Sequence, residues 1–161
     1  MPDMLVRLYA MPDHSSRRDE LKSEGFLCRR AESYERSVVL DFVREHWPHW
    51  VDEATLGFSF APPKVHICVE GREVVGFACY DVARPNLFGP TGVDERYRGK
   101  GIGRVLLWRS LRSMAAAGFA YGIIGGVDGR ESFYEEAVDA TVIEGSVPGI
   151  YVNHIGVREG H

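Results

Sequence analysis

One stretch limits the fold more than any other: Val93-Asp94-Glu95-Arg96-Tyr97-Arg98-Gly99-Lys100-Gly101-Ile102-Gly103-Arg104. Its glycines stand at alternate positions, with Arg98, Lys100 and Arg104 around them. Before it lies a run with strand character, Leu87 to Val93. After it, Val105 to Ala117 has helical periodicity. Alternate glycines let consecutive backbone N–H groups turn toward one point, because no Cβ blocks the conformation or the visitor. A helix that starts there adds its unsatisfied N–H groups and the positive end of its dipole. Strand, glycine loop and helix in this order make a phosphate cradle, and the strand demands a sheet to carry it.

Composition narrows the ligand. The formal net charge is −4, which argues against general affinity for nucleic acid, where Lys and Arg on phosphates dominate binding. The 45% hydrophobic and 26% charged residues are those of a globular chain, and 161 residues are read as one domain over 1–161. No apolar run approaches the roughly 20 residues that cross a bilayer, and Asp3, Arg7 and Asp13 do not fit a signal peptide. Cys28, Cys68 and Cys79 lie in apolar runs and read as reduced core thiols of a cytoplasmic protein.

In chain order, Met4 to Tyr9 reads as a short strand, His14 to Glu24 as a charged loop or weak helix, and Phe26 to Arg30 as a second strand. Ser33 is the expected N-cap of a helix with the stripe Val39, Phe42 and Val43, which Pro48 ends. Trp50 to Phe60 follows as a short helix or ordered loop. Val65–Val69 and Val74–Val82 flank Glu70-Gly71-Arg72-Glu73 as a hairpin. Gly89, Pro90 and Gly92 inside the next strand mark a bulge or the approach of a ligand to the backbone. Leu107, Trp108, Leu111, Met114 and Ala115 give the following helix its core face, and Gly118 stops it. Tyr121 to Val127 reads as a buried strand, and Asp128 with Glu131 as a capping box opening a helix to Val138. Thr141–Ile143 and Ile150–Val152 read as closing strands. A hairpin-rich sheet followed by alternating strands and helices is α/β in content and α+β in topology. We therefore expect a mixed, mostly antiparallel sheet with helices on both faces.

The glycine spacing is neither the dinucleotide fingerprint nor a P-loop. Arg98-x-x-Gly101-x-Gly103 between strand and helix instead resembles the pyrophosphate motif of the GCN5-related N-acetyltransferase (GNAT) superfamily. Thr91 to Glu95 resembles that family's bulged strand, Ile102 to Leu111 its long helix, and Phe133 to Val138 its Phe-Tyr-Glu segment. The resemblance covers roughly residues 25 to 152. Residues 143 to 151 are similar to an uncharacterised bacterial subgroup.

The resemblance implies acetyl-CoA as cosubstrate and an acyl-CoA N-acyltransferase that moves an acetyl group to a primary amine by direct attack. Thr91, Gly92 and Val93 would run along the pantetheine arm, and the Val93 N–H would polarise the thioester carbonyl, where negative charge grows. Backbone N–H groups of Arg98, Gly99, Lys100, Gly101, Ile102 and Gly103 would hold the pyrophosphate. Lys100 and Arg104 either meet the 3′-phosphate or stay solvated. Tyr134 would be the general acid for the departing thiolate, with Ser132 near the pantetheine. Leu87 to Val93 carries no acid, so Asp81 on the neighbouring strand is the first choice of general base, ahead of Glu45 and Asp52. Trp47 and Trp50 would wall an acceptor site suited to a small amine or amino-acid-like molecule rather than a protein. His46 and His49 have no third ligand beside them, so no metal is expected. Oligomeric state is open, a homodimer included. The altered Glu136-Ala137-Val138-Asp139 segment leaves a second reading, a CoA-binding sensor or interaction module without efficient turnover.

Overall fold

The structure is a computed structural model, and it describes residues 1–152 and 155. Seven strands form one sheet: β1 (Met4–Arg7), β2 (Phe26–Arg30), β3 (Val65–Glu70), β4 (Glu73–Tyr80), β5 (Leu87–Val93), β6 (Tyr121–Ile124) and β7 (Thr141–Val142). Among the described residues, five α-helices accompany them: α1 (Ser15–Ser23), α2 (Arg36–His46), α3 (Val51–Gly57), α4 (Ile102–Ala116) and α5 (Glu131–Val138). The strand order is β2-β3-β4-β5-β6-β1-β7. Every pairing is antiparallel except β5 with β6. No helix among the described residues is long and apolar enough to cross a membrane.

Helices cover both faces because the central strands are apolar on both. In β4, every residue from Val75 to Tyr80 is buried. On one face Leu106, Leu107, Leu111 and Met114 of α4 join Leu21 of α1 and Tyr134 and Ala137 of α5. On the other, Val39, Phe42 and Val43 of α2 and Ala54 of α3 cover Ile67, Phe77 and Cys79. The α2 stripe is the one read from sequence, although its entry differs. A 3-10 turn, Ser33–Glu35, precedes α2, and Glu32 rather than Ser33 closes a reciprocal capping box with Glu35. Pro48 does end α2 and starts the 3-10 turn that leads into α3.

Further elements depart from the sequence reading. Helix α1 is regular, held by α1–β2 packing rather than by its weak apolar stripe. Helix α4 begins at Ile102, so Gly103 lies inside its first turn. Strand β6 stops at Ile124, and α5 has Arg130 at its N-cap without a side-chain cap, so Asp128 and Glu131 form no capping box. Gly149–Tyr151 is a 3-10 turn and not a strand. The strand beside β6 at this end of the sheet is β1, the first strand read from sequence, which ends at Arg7. The three cysteines are free and buried, and residues 153, 154 and 156–161 of the expected single domain lie outside the described residues.

Candidate active site

The site begins at a defect in the sheet. Strand β5 pairs with β6 only through Leu87 and Phe88, opposite Ile123 and Ile124. Against β4, Tyr80 faces Phe88 while Ala78 faces Thr91, so β5 holds one extra residue at Gly89-Pro90. That bulge turns the second half of β5 away from β6. The Asp94 N–H donates to Val75 O on β4 at 2.9 Å. Successive residues alternate sides along a strand. The Val93 N–H therefore points to the opposite, splayed side, where the Val93 carbonyl accepts from Arg98 Nε at 3.1 Å.

The glycine loop is shaped by both backbone and clamps. Gly99 and Gly101 have φ of +85° and +88°, and Gly101 is the left-handed N-cap of the 15-residue α4. The Asp94 carboxylate caps the turn before the loop by accepting from the Arg96 N–H at 3.0 Å. The Arg96 guanidinium beside that carboxylate holds it below the usual range. From α1, Arg17 donates through Nε and Nη2 to the Lys100 carbonyl, with Nε at 2.8 Å. Glu20 and Glu24 hold Arg17 from behind. The Lys100 ammonium lies 5.5 Å over the Phe26 ring.

A cavity of about 830 Å³ runs from this loop to the splay. It brings together Thr91, Gly92, Val93, Arg98, Gly99, Lys100, Gly101, Ile102, Gly103, Arg104 and Tyr134, together with Trp47 and Trp50. Its lining holds five cationic side chains, those of Arg17, Arg98, Lys100, Arg104 and Arg130, and no carboxylate among the described residues. For a chain of net charge −4, that separation of sign is selective for a polyanion.

Tyr134 is 6% exposed and borders this cavity from the first turns of α5. Burial pushes its phenol up, and the positive charge of Arg130 offsets part of the rise. The phenol therefore keeps its proton at neutral pH. The Trp47 ring packs so closely on β5 that a Cβ at Gly92 would lie 2.5 Å from its Cη2. Trp47 is thus a wall of the cofactor-sized cavity. Trp50 borders that cavity and a smaller one of about 200 Å³ beyond the splay.

Two expected residues stand elsewhere. Ser132 is exposed on α5 and outside both cavity linings. Asp81 is a turn residue with φ +56°. Its carboxylate accepts from the Asn86 N–H at 2.8 Å and pairs with Lys64 at 2.7 Å. It lines neither cavity, because the turn curls the side chain back onto its own strand end. Among the described residues, no three His, Cys, Asp or Glu side chains converge as a metal group.

Sequence reasoning missed Arg17, Arg130 and Glu53. Arg130 lines both cavities and Glu53 the smaller one. A signal existed only for Glu53, which stands three residues after Trp50 and shares its face across the turn into α3.

A sequence model of the Acetyltransferase (GNAT) family matches residues 24–136. The chain belongs to that family. No curated protein matches the sequence. Among solved structures, the chain is similar to a GCN5-related N-acetyltransferase from Sphaerobacter thermophilus, with TM-score 0.65 and 16% identity over 88% of this chain and 48% of that one. It is also similar to a GCN5-related glucosamine N-acetyltransferase region in a fungal multi-domain GH3 β-N-acetylglucosaminidase. That match has TM-score 0.68 and 12% identity over 88% of this chain and 19% of that one. A Drosophila protein gives TM-score 0.63 at 14% identity, over 88% and 47%. The chain spans less than half the length of each. These likenesses show the GNAT fold, with its mixed, mostly antiparallel sheet.

Proposed function

We propose that this chain is a single-domain, acetyl-CoA-dependent N-acetyltransferase acting on the primary amine of a small molecule. The observation that carries the reading is the 830 Å³ cavity. It joins five cations, the glycine turn, the α4 N-terminus, the outward Val93 N–H and the Tyr134 phenol, and among the described residues its lining includes no carboxylate. These residues fit coenzyme A: a polyanionic head at the loop and helix end, and an extended arm along the unpaired half of β5. Bound there, acetyl-CoA would supply an activated acyl group on sulfur.

The residues divide the work. Backbone N–H groups from Arg98 to Gly103 hold the pyrophosphate, and Arg17 keeps the loop in shape by fixing the Lys100 carbonyl. Lys100 and Arg104 remain alternatives for the 3′-phosphate. The Val93 N–H is a fixed dipole at the carbonyl oxygen on which charge grows, and it strengthens as the amine attacks. Tyr134 donates its proton to the sulfur as the C–S bond breaks. A phenol raised by burial remains protonated for this step, and a nearby thiolate is basic enough to take the proton. Asp81, held in its turn, has no part in this account, nor does Ser132. Three free, buried thiols support a cytoplasmic setting.

Calorimetry with acetyl-CoA, followed by thiol release over a panel of primary amines, tests the reading. We expect binding in the micromolar range and release that depends on the amine. Absence of binding removes the cofactor assignment. Binding without turnover on any amine favours the CoA-binding module.

A further inference from the structure

Two of the cysteines face each other across β2 and β3. Cys28 is the register partner of Cys68, and two residues along the ladder Arg30 stands opposite His66. The Ala31 N–H donates to the Val65 carbonyl at 2.9 Å, which makes the next position a hydrogen-bonded pair. Hydrogen-bonded and non-hydrogen-bonded pairs alternate along an antiparallel ladder, so Cys28 and Cys68 form a non-hydrogen-bonded pair. Such pairs hold their Cα atoms about 4.5 Å apart with the side chains close together. That lies inside the span of about 4.4–6.8 Å that a disulfide bridges. Both side chains belong to the core on the α4 side, whereas Cys79 lies in the core on the other face.

A cation stands beside the pair. The Nε of Arg109, on α4, is buried with no hydrogen-bond partner among the described residues. A hydrogen bond from Cys68 lowers the Cys28 thiol against the cost of burial, and the Arg109 charge lowers it further. The same hydrogen bond, with burial, pushes the Cys68 thiol up. The proton therefore leaves Cys28 and stays on Cys68, which divides the pair into a nucleophile and a thiol held in reserve. Burial pushes the Cys79 thiol up as well. Cys28 is 4% exposed and Cys68 is fully covered, so an oxidant that reaches them is about the size of water.

We propose that Cys28 and Cys68 are a peroxide-sensitive pair that closes to a reversible cross-strand disulfide. The proposal goes beyond acetyl transfer and stands without it. The Cys28 thiolate attacks one oxygen of hydrogen peroxide, the O–O bond breaks, and hydroxide leaves and takes up a proton. Cys68 then attacks the sulfenic sulfur of Cys28; the S–O bond breaks, the S–S bond forms, and a second water departs. Two thiols lose two electrons, and one peroxide is reduced to two waters. A small thiol reopens the bond by exchange. The bond fastens edge strand β2 to β3 beside the glycine loop. The next non-hydrogen-bonded pair is Phe26 with Glu70. The Lys100 ammonium lies over the Phe26 ring, and Glu70 accepts from the Tyr97 hydroxyl at 3.2 Å.

The test treats the folded full chain with hydrogen peroxide and counts thiols after unfolding. The count falls from three to one, the intact mass falls by two hydrogen atoms, and peptide mapping joins Cys28 to Cys68. Closing a loop of roughly 40 residues raises Tm by about 5–10 °C, and dithiothreitol reverses both changes. Cys68→Ala stops at a sulfenic acid on Cys28 that dimedone traps, whereas Cys28→Ala traps nothing at Cys68. Cys79→Ala, which keeps the pair, oxidises as wild type does. Arg109→Gln slows oxidation by about tenfold, as the loss of one neighbouring charge implies. Three surviving thiols, a bond that includes Cys79 or joins two chains, or an unchanged Tm after closure overturns the proposal. A rate indifferent to Arg109→Gln overturns the assignment of Cys28 as the cation-supported nucleophile.

Discussion

Gly101→Ala tests whether the loop's shape is set by its backbone. Gly101 sits at φ +88°, ψ +10°. A side chain in the left-handed region costs about 1–2 kcal/mol. The new Cβ would also stand 3.1 Å from Arg17 Nε and 3.3 Å from its Cγ. Arg17 must then retreat and loosen its bonds to the Lys100 carbonyl, a loss of about 1 kcal/mol. The sum is about 2–3 kcal/mol, and it can appear in two places. If the loop keeps its form, the whole appears as lost stability and Tm falls by about 5–10 °C. If the free loop relaxes, the ligand must restore it, and Kd for acetyl-CoA rises by about tenfold for each 1.4 kcal/mol so diverted. Melting curves and calorimetry on the same sample measure both parts. Gly103→Ala is the control: its φ is not positive, and its Cβ would lie 3.6 Å from Val93 Cγ2. It should melt no lower than wild type while binding acetyl-CoA more weakly, because the methyl group enters the cavity wall. If Gly101→Ala changes neither Tm nor Kd, the loop is not shaped as argued.

Tyr134→Phe should lower kcat by about 10²-fold or more while leaving acetyl-CoA affinity within about twofold, since a general acid acts only in the chemical step. Because burial raises its phenol, the loss of wild-type rate from deprotonation of Tyr134 should appear only above pH 10, read from a kcat profile. Gly92→Ala should destabilise by about 1–3 kcal/mol through overpacking on Trp47. Trp47→Leu should relieve that cost, so urea melts of the double variant should be less than additive. His66, buried on β3, has its imidazole pushed down to about 3, chiefly by burial and then by the charges of Arg30 and Arg109. The unfolded chain binds that proton first. Stability should therefore fall by about 1 kcal/mol per pH unit as pH drops from 6.5 toward 3. His66→Gln should flatten this slope in urea melts taken across the range.

The parts of the site legible in the sequence are those whose cause is local. Gly99 and Gly101 are written as glycine because their own φ requires it, and Gly89-Pro90 announces the bulge through two residues poorly suited to a strand. Helix α4 is equally plain, since its buried face repeats within one segment. What stayed hidden depends on distant partners. Arg17 matters only because α1 packs where the Lys100 carbonyl can be reached, and nothing in the Ser15–Ser23 segment states that. Asp81 looked like a strand-end acid aimed at the site. Its positive φ and the Asn86 N–H turn it into a structural group, and both depend on the shape of the following turn. Glu53 and Asp128 meet at one cavity from elements far apart in the chain.

The position of β1 bears on how the protein is made. This strand lies between β6 and β7, with Met4 opposite both Ile124 and Val142. Strands β3 to β5 and helix α4 are contiguous in sequence and can associate as soon as they leave the ribosome. Strand β1, synthesised well before them, must wait with its pairing edges uncovered until β6 and β7 arrive, and pairings of such long sequence separation form slowly. The half that carries the glycine loop is thus able to mature while translation is under way. The half that Asp3 ties together completes only when early and late segments meet, so a chain stalled before β6 would carry the glycine loop without the wall that Gly126 and Ile150 build around Asp3.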